Sequence, residues 1–243
     1  MLSPRRAPAA DDDDRHRRTR EIRMLSRLAH AVVPAFGRLT VTADQDADLA
    51  PGSVLAANHT SLADPAVVLA ALHRLGVRPV VMAAAGLWRI PLLGPALTRG
   101  DHIPVYRGHR RAADALDLAE AALKRGRLVL IYAEGGIPTR ADAAEAPPGP
   151  FRSGLSRLVE RTGAPVVPVG QAGARRITSG NPVKQVAGVL TAPLRRPALH
   201  VHVGAPLPPA DDRAATTTRA HAAVTAAWHT ATTHLTRATI LAA

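Results

Sequence analysis

Short apolar runs alternate with stretches of helical periodicity along most of this chain. Leu39-Thr40-Val41-Thr42 alternates apolar and polar side chains, the pattern of a half-buried strand. Further runs of strand length fall near residues 53–57, 78–82, 102–106, 127–132 and 165–169. A later one, Pro197 to Val203, puts Leu199, Val201 and Val203 on one face. Between these runs, Val67, Val68, Leu69 and Leu72 recur at helical spacing and stop near Gly76. Ala112, Leu116, Ala119, Ala122 and Leu123 mark a helix near 109–125 that stops at Gly126, and another near 153–162 stops at Gly163. Glycine just past the last periodic residue is a helix stop signal. Strands alternating with helices predict an α/β fold, a mostly parallel sheet flanked by helices and built with right-handed crossovers.

The ends of the chain differ from this middle. Residues 1–16 are proline, alanine and charge, Asp11 to Asp14 among them, and read as a disordered tail. In segment 17–37, Ile22, Leu25, Ala29, Val32 and Val33 fall near helical spacing among Arg17, Arg20, Arg23 and Arg27, with Pro34 as a stop. Such an N-terminal amphipathic helix suits the surface of an anionic membrane, and equally suits packing on the domain. The α/β domain then spans 38–209, closing in a linker with Pro206, Pro208 and Pro209. A C-terminal helix follows in 210–243, capped by Asp211 and Asp212 and running to about Arg237. Residues 133–150 form a long loop rich in Ala, Pro and Gly, and 170–196 resist assignment.

Composition narrows the partners. A chain of 243 residues that is 47% hydrophobic builds one domain with an ample core, and with 2% aromatics that core is Leu, Val, Ile and Ala. The absence of cysteine excludes disulfides, thiolate zinc sites and cysteine nucleophiles. The net charge of +12 is almost all arginine, Lys124 and Lys184 being the lysines. Nucleic acid, an anionic membrane surface or a phosphorylated substrate would each match it. No helix-turn-helix, zinc or RNA-recognition signature is present and aromatics for base stacking are few, which argues against nucleic acid. No apolar stretch reaches about 18 residues, and no basic stretch followed by an apolar one opens the chain. The expectation is a cytoplasmic protein peripheral to the inner face of the cell membrane.

Chemistry concentrates in Asn58-His59-Thr60-Ser61-Leu62-Ala63-Asp64-Pro65. His59 follows the apolar run Val54 to Ala57, so it sits at a strand end, where open α/β sheets present their sites. Asp64 and Pro65 read as an N-cap and first helical proline. The carboxylate is also close enough to orient the imidazole, and a histidine held so is a general base for an alcohol. Three segments follow: Gly100 to Arg107, Ile131-Tyr132-Ala133-Glu134-Gly135-Gly136 continuing to Arg140, and Ala164 to Val169 with Pro168 inside it.

In this order the four blocks resemble those of the glycerolipid acyltransferase family, in particular the bacterial 1-acylglycerol-3-phosphate (lysophosphatidate) acyltransferases. Ile90-Pro91-Leu92-Leu93-Gly94 and Phe151-Arg152-Ser153-Gly154 add to the likeness, which covers about residues 50 to 205. The resemblance implies His59 and Asp64 as catalytic residues and Arg107, Glu134, Gly135, Arg140 and Pro168 as substrate-binding residues. It implies an acyl donor, acyl-CoA or acyl carrier protein, as co-substrate, a lysophospholipid or related acceptor, and neither metal nor cofactor. The chain departs from the family's Phe-Pro-Glu-Gly-Thr-Arg block at Tyr132, Ala133, Gly136 and Ile137. Those departures leave open another lipid or small-molecule acceptor, and a non-catalytic lipid-binding role. Ser61 lacks the Gly-x-Ser-x-Gly surroundings of a hydrolase nucleophile.

The remaining ionisable groups read as structural. His200 and His202 share a strand face without a third metal ligand, and His102 reads as exposed. Arg175-Arg176 and Arg195-Arg196 read as solvated surface.

Overall fold

The computed structural model describes residues 25–108, 113–137, 142 and 144–240. Arg140, the tail and the first turns of the helix expected from residue 17 lie outside the described residues. Residues 25–36 are helical (α1), continuing two residues past Pro34. That is permitted because proline disturbs the turn before it, not the one after.

Seven strands form one sheet: β1 (Arg38–Ala43), β2 (Val54–Ala57), β3 (Val80–Ala84), β4 (Ile103–Val105), β5 (Val129–Tyr132), β6 (Val166–Ala172) and β7 (Ala198–Val203). Their order is β1-β7-β6-β2-β5-β3-β4, parallel throughout except where β7 runs antiparallel to β6. The helices are α2 (Asp64–Arg74), α3 (Leu93–Arg99), α4 (Asp114–Lys124), α5 (Gly154–Thr162), α6 (Pro182–Arg195) and α7 (Arg213–Ile240).

The two sheet faces carry separate cores. Leu55, Ala57, Leu130, Val167 and Val169 pack with α1, α2 and the inner side of α6. Val54, Ala56, Val129, Ile131 and Val166 pack with α4, α5 and α7. Consecutive strand residues point to opposite faces, and both faces are covered, so the central strands are apolar at every position rather than alternating. Strand β2 lies between β5 and β6. The helix after β2 covers one face and the helix after β5 the other. The chain therefore diverges at the carboxyl ends of β2 and β5, where doubly wound sheets open a crevice.

Two expectations change here. Strand β6 runs on to Ala172 because Gly170, Gln171 and Ala172 pair with His202, Val201 and His200 of β7. Segment 182–195, unassigned from sequence, is α6, capped by the Asn181 side chain accepting from the Lys184 N–H at 2.9 Å, with Pro182 in its first turn.

Candidate active site

The loop from Asn58 to Asp64 is clamped at both ends. The Asn58 side chain exchanges hydrogen bonds with the main chain of Gln171 on β6, at 2.8 and 3.1 Å. The buried Ser61 hydroxyl donates to the Thr178 carbonyl at 2.9 Å and meets the Thr178 hydroxyl. Within this frame His59 Nδ1 lies 3.0 Å from Asp64 Oδ2.

Asp64 opens α2 but does not cap it in the expected way. Its Oδ2 reaches backwards, accepting from the main-chain N–H of Thr60 at 2.6 Å and of Ser61 at 2.8 Å, besides His59. It is the first residue of the helix, and no side chain caps the N-terminus. Asp64 is fully buried, and burial pushes its carboxyl above the usual range. The bonds from His59, Ser61 and Thr60 oppose that rise. With Nδ1 donating to this carboxylate, His59 keeps Nε2 as its basic nitrogen.

Glu134, at the end of β5, uses both carboxylate oxygens on main-chain donors. Oε1 accepts from the His59 N–H at 2.7 Å and Oε2 from the Gly149 N–H at 2.8 Å. Burial pushes this carboxyl up as well. Gly135 has φ +74° and closes a turn by donating to the Tyr132 carbonyl at 3.2 Å. A Cβ there would fall 2.8 Å from Arg152 Cδ, so only glycine fits between turn and guanidinium. The Tyr132 ring lies 4.4 Å from that of His59, tilted by 34°.

His59 borders a cavity of about 1130 Å³. Its walls are apolar side chains of α1 (Leu25, Leu28), α2 (Leu69) and β3 (Val81), with Leu93 and Leu97 of α3. Arg107, Arg152 and Arg157 also border it. Arg107 approaches Gly136 and Arg152 approaches Gly135, so two guanidinium groups flank the Glu134-Gly135-Gly136 turn. Neither has an ion-pair partner among the described residues. Arg152 appeared in the sequence only as part of a matching block, and Arg157 drew no notice there.

The structure thus gathers His59, Asp64, Glu134, Gly135 and Arg107 at one crevice. Pro168 stays apart from the cavity lining. It sits in register with Ala56 on β6 and gives its carbonyl to the Gly204 N–H at 2.9 Å, just past the end of β7. Main-chain N and C=O of a strand residue point to the same side, so the N–H that proline lacks would have faced the ladder beyond the last β7 residue.

His102 and Arg175, read as exposed or solvated, are buried, as is His200, read as part of a polar strand face. His102 is buried in the cavity wall with Nδ1 accepting from the Val81 N–H at 2.9 Å, and burial, aided by Arg127, lowers its pKa to about 4. Arg175 is almost fully buried and braces the loop that carries His59, donating to the carbonyls of Thr60 at 2.9 Å and Ala144 at 2.8 Å and also to that of Asp142. His200 lies beneath α7, stacked on His234 at 4.6 Å, its ring nitrogens against Thr40 at 2.7 Å and Thr42 at 2.9 Å. Among the described residues no group of three or more metal-ligating side chains comes together.

The site is thus a histidine–aspartate pair at a strand end of an α/β sheet, opening on an apolar chamber with cationic groups beside it. Comparison with known proteins places it further. The family model described as Acyltransferase matches residues 38–171, and the chain belongs to that family. Over 125 residues, 51% of the chain, it is 30% identical to the chloroplastic 1-acyl-sn-glycerol-3-phosphate acyltransferase BAT2 of Brassica napus. The match spans 34% of that relative's length. In fold it is similar to the 1-acyl-sn-glycerophosphate (LPA) acyltransferase PlsC from Thermotoga maritima, with a TM-score of 0.65 at 17% identity over 87% of this chain and 80% of that one.

Proposed function

We propose that the chain moves a fatty acyl group from a thioester, acyl-CoA or acyl carrier protein, to the free hydroxyl of 1-acylglycerol-3-phosphate, giving phosphatidate. One observation carries this reading. The His59–Asp64 pair opens on an apolar cavity of about 1130 Å³ that Arg107 and Arg152 also border, neither with an ion-pair partner among the described residues. That volume lies at the top of the roughly 300–1,000 Å³ range of ligand pockets, room enough for a long acyl chain.

In this mechanism His59 Nε2 takes the proton of the acceptor hydroxyl as its oxygen attacks the thioester carbonyl. The C–O bond forms, the C–S bond breaks, and the leaving thiolate takes the proton back from the imidazolium. Asp64 fixes the tautomer and stabilises the imidazolium, and general-base help of this kind is worth about 100- to 10,000-fold. Arg107 and Arg152 hold the acceptor phosphate, since guanidinium pairs with phosphate in bidentate fashion. Glu134 acts through His59 by fixing its main chain. The acceptor is drawn from the inner face of the membrane.

A different acceptor is favoured by one detail. Ile137, an apolar side chain, lines the cavity where the family's block ends in arginine.

The test is acyl transfer by the purified protein, read by mass spectrometry. Lysophosphatidate is offered with each donor, beside a panel of uncharged lysolipids, with His59→Ala as control. Phosphatidate from wild type and none from the variant is the expected result. Arg107→Ala should then raise the KM for lysophosphatidate by about 10- to 100-fold, the worth of one hydrogen bond to a charged group. Product from an uncharged acceptor alone would replace lysophosphatidate. No product from any acceptor with folded protein would end the catalytic reading.

A further inference from the structure

Helix α6 is built inside out. At 100° per residue, Val183, Val186, Ala187, Leu190 and Leu194 fall within an arc of about 100°. An apolar stripe of that width normally faces the core. Here it faces solvent: Val183 is 77%, Val186 60%, Leu190 72% and Leu194 89% exposed. The side facing the domain holds Gly188, Val189 and Ala192. Ala192 is the buried residue of α6, and a Cβ on Gly188 would fall 2.4 Å from the Ile177 carbonyl. The helix lies close against the fold through Gly188 and Ala192, with Val189 beside them, and turns its leucines outward. Nothing in the packing of the domain explains that choice.

The charge along this helix has one sign. Between Glu160 and Asp211 the chain holds no acidic residue, and α6 with the residue after it carries Lys184, Arg195 and Arg196. Lys184 and Arg195 run along one border of the apolar arc. Arg195 binds main-chain oxygens of Arg176 at 3.1 Å and Gly188 at 2.9 Å, and Arg196 that of Pro34 at 3.1 Å; among the described residues neither has a carboxylate partner. The Arg196 bond joins the end of α6 to the end of α1. The two helices share one sheet face, and α1 exposes Leu28 (56%) where it lines the cavity beside His59.

We propose that the outward face of α6 is a docking surface for an anionic lipid bilayer, continuous with α1 on the side of the sheet that carries the cavity. Leucine and valine enter the acyl boundary while Lys184 and Arg195 meet the headgroups, the arrangement of an interfacial helix. An uncharged or acidic protein partner would leave the one-sided choice of cations or the width of the apolar arc without purpose. The surface is independent of which acceptor His59 serves, and its test requires no turnover.

The experiment is flotation of the full chain with vesicles of phosphatidylcholine alone and of phosphatidylcholine and phosphatidylglycerol in equal parts. The wild type should float with the mixed vesicles, much less with the neutral ones, and less as salt is raised. L190E/L194E should lower partitioning to mixed vesicles by about tenfold or more, with melting temperature unchanged because both side chains are exposed. Val183→Ser with Val186→Ser, at the other end of the stripe, should act in the same direction and guards against a folding defect. Wild-type flotation by both double variants would overturn the proposal. So would indifference of the wild type to either vesicle, or a change confined to oligomer mass, which would assign the face to a second copy of the chain.

Discussion

The Glu134 carboxylate accepts a hydrogen bond from the main-chain N–H of His59 at 2.7 Å, across 75 residues of sequence. Its other oxygen takes the Gly149 N–H at 2.8 Å, so this one side chain ties the ends of β2 and β5 to the long loop. Glu134→Gln keeps one acceptor oxygen and turns an NH2 group against one of the two N–H donors. Leaving a buried donor unmatched costs about 1–3 kcal/mol. The expected outcome is a lower melting temperature and a kcat reduced by about 10- to 100-fold. Steady-state kinetics beside thermal unfolding check it, and an unchanged kcat would detach Glu134 from the reaction.

Asp64 is the second handle on the same imidazole. Asp64→Asn retains an oxygen for the Thr60 and Ser61 N–H groups but removes the charge opposite the imidazolium. Turnover should fall by about 100- to 10,000-fold. Stability should change far less, because the buried charge that burial penalises is also gone. A variant that lost both together would make Asp64 a folding residue first.

Tyr132 stands where the resembling family carries phenylalanine, and its buried hydroxyl has no hydrogen-bond partner among the described residues. Burial, with Asp64 nearby, pushes the phenol well above its ordinary range, so it stays neutral. Tyr132→Phe removes an unmatched polar atom and keeps the ring against His59. The expected result is a gain of about 1 kcal/mol in unfolding free energy, with turnover within a few-fold of wild type. A loss of stability would mean that the hydroxyl is bonded in solution.

Two buried histidines set an acid limit to stability. His102 and His200 both titrate near 4 when folded, held down by burial. Arg127 adds to this at His102, as His234 and His202 do at His200. Unfolded, each binds its proton near 6.5. Between about pH 6.5 and 4 the unfolded chain therefore holds more protons, and stability must fall as pH falls through that window, levelling below it. Each site contributes on the order of 1–3 kcal/mol. Unfolding midpoints measured across this range should drop with acid. His102→Gln, which can still accept from Val81, should flatten part of the slope. A midpoint flat from pH 6.5 to 4 would refute the assignment.

Local pattern made most of the framework legible. Val54 to Ala57 is apolar at every position, which marks a buried strand whatever lies beside it, and Gly126 and Gly163 end helices by their own backbone freedom. His59 and Asp64 are five residues apart, so the turn between them brings the two side chains together with little help from elsewhere. Helix α6 escaped notice for the opposite reason. Most of its apolar residues mark a surface, and its inward side is mainly Gly188 and Ala192, which carry no periodic signal, with Val189 alone among its large apolar residues packed on the core. Pro168 matches a block of the resembling family by residue type, and in the structure its carbonyl accepts from the Gly204 N–H just past the end of β7.

The sequence by itself determined the alternation of strand and helix, the histidine–aspartate pair and the arginine-rich charge, because each depends on neighbours within a turn or two. Tertiary structure alone decided that β2 lies between β5 and β6, that Glu134 meets the His59 N–H, and that Arg175 braces Thr60 from 115 residues away. It also decided that His102 is buried and that α6 turns its leucines outward. The physical reason is one of range: propensity and periodicity act over a few residues, whereas burial and long-range hydrogen bonds exist only after distant segments have closed on one another.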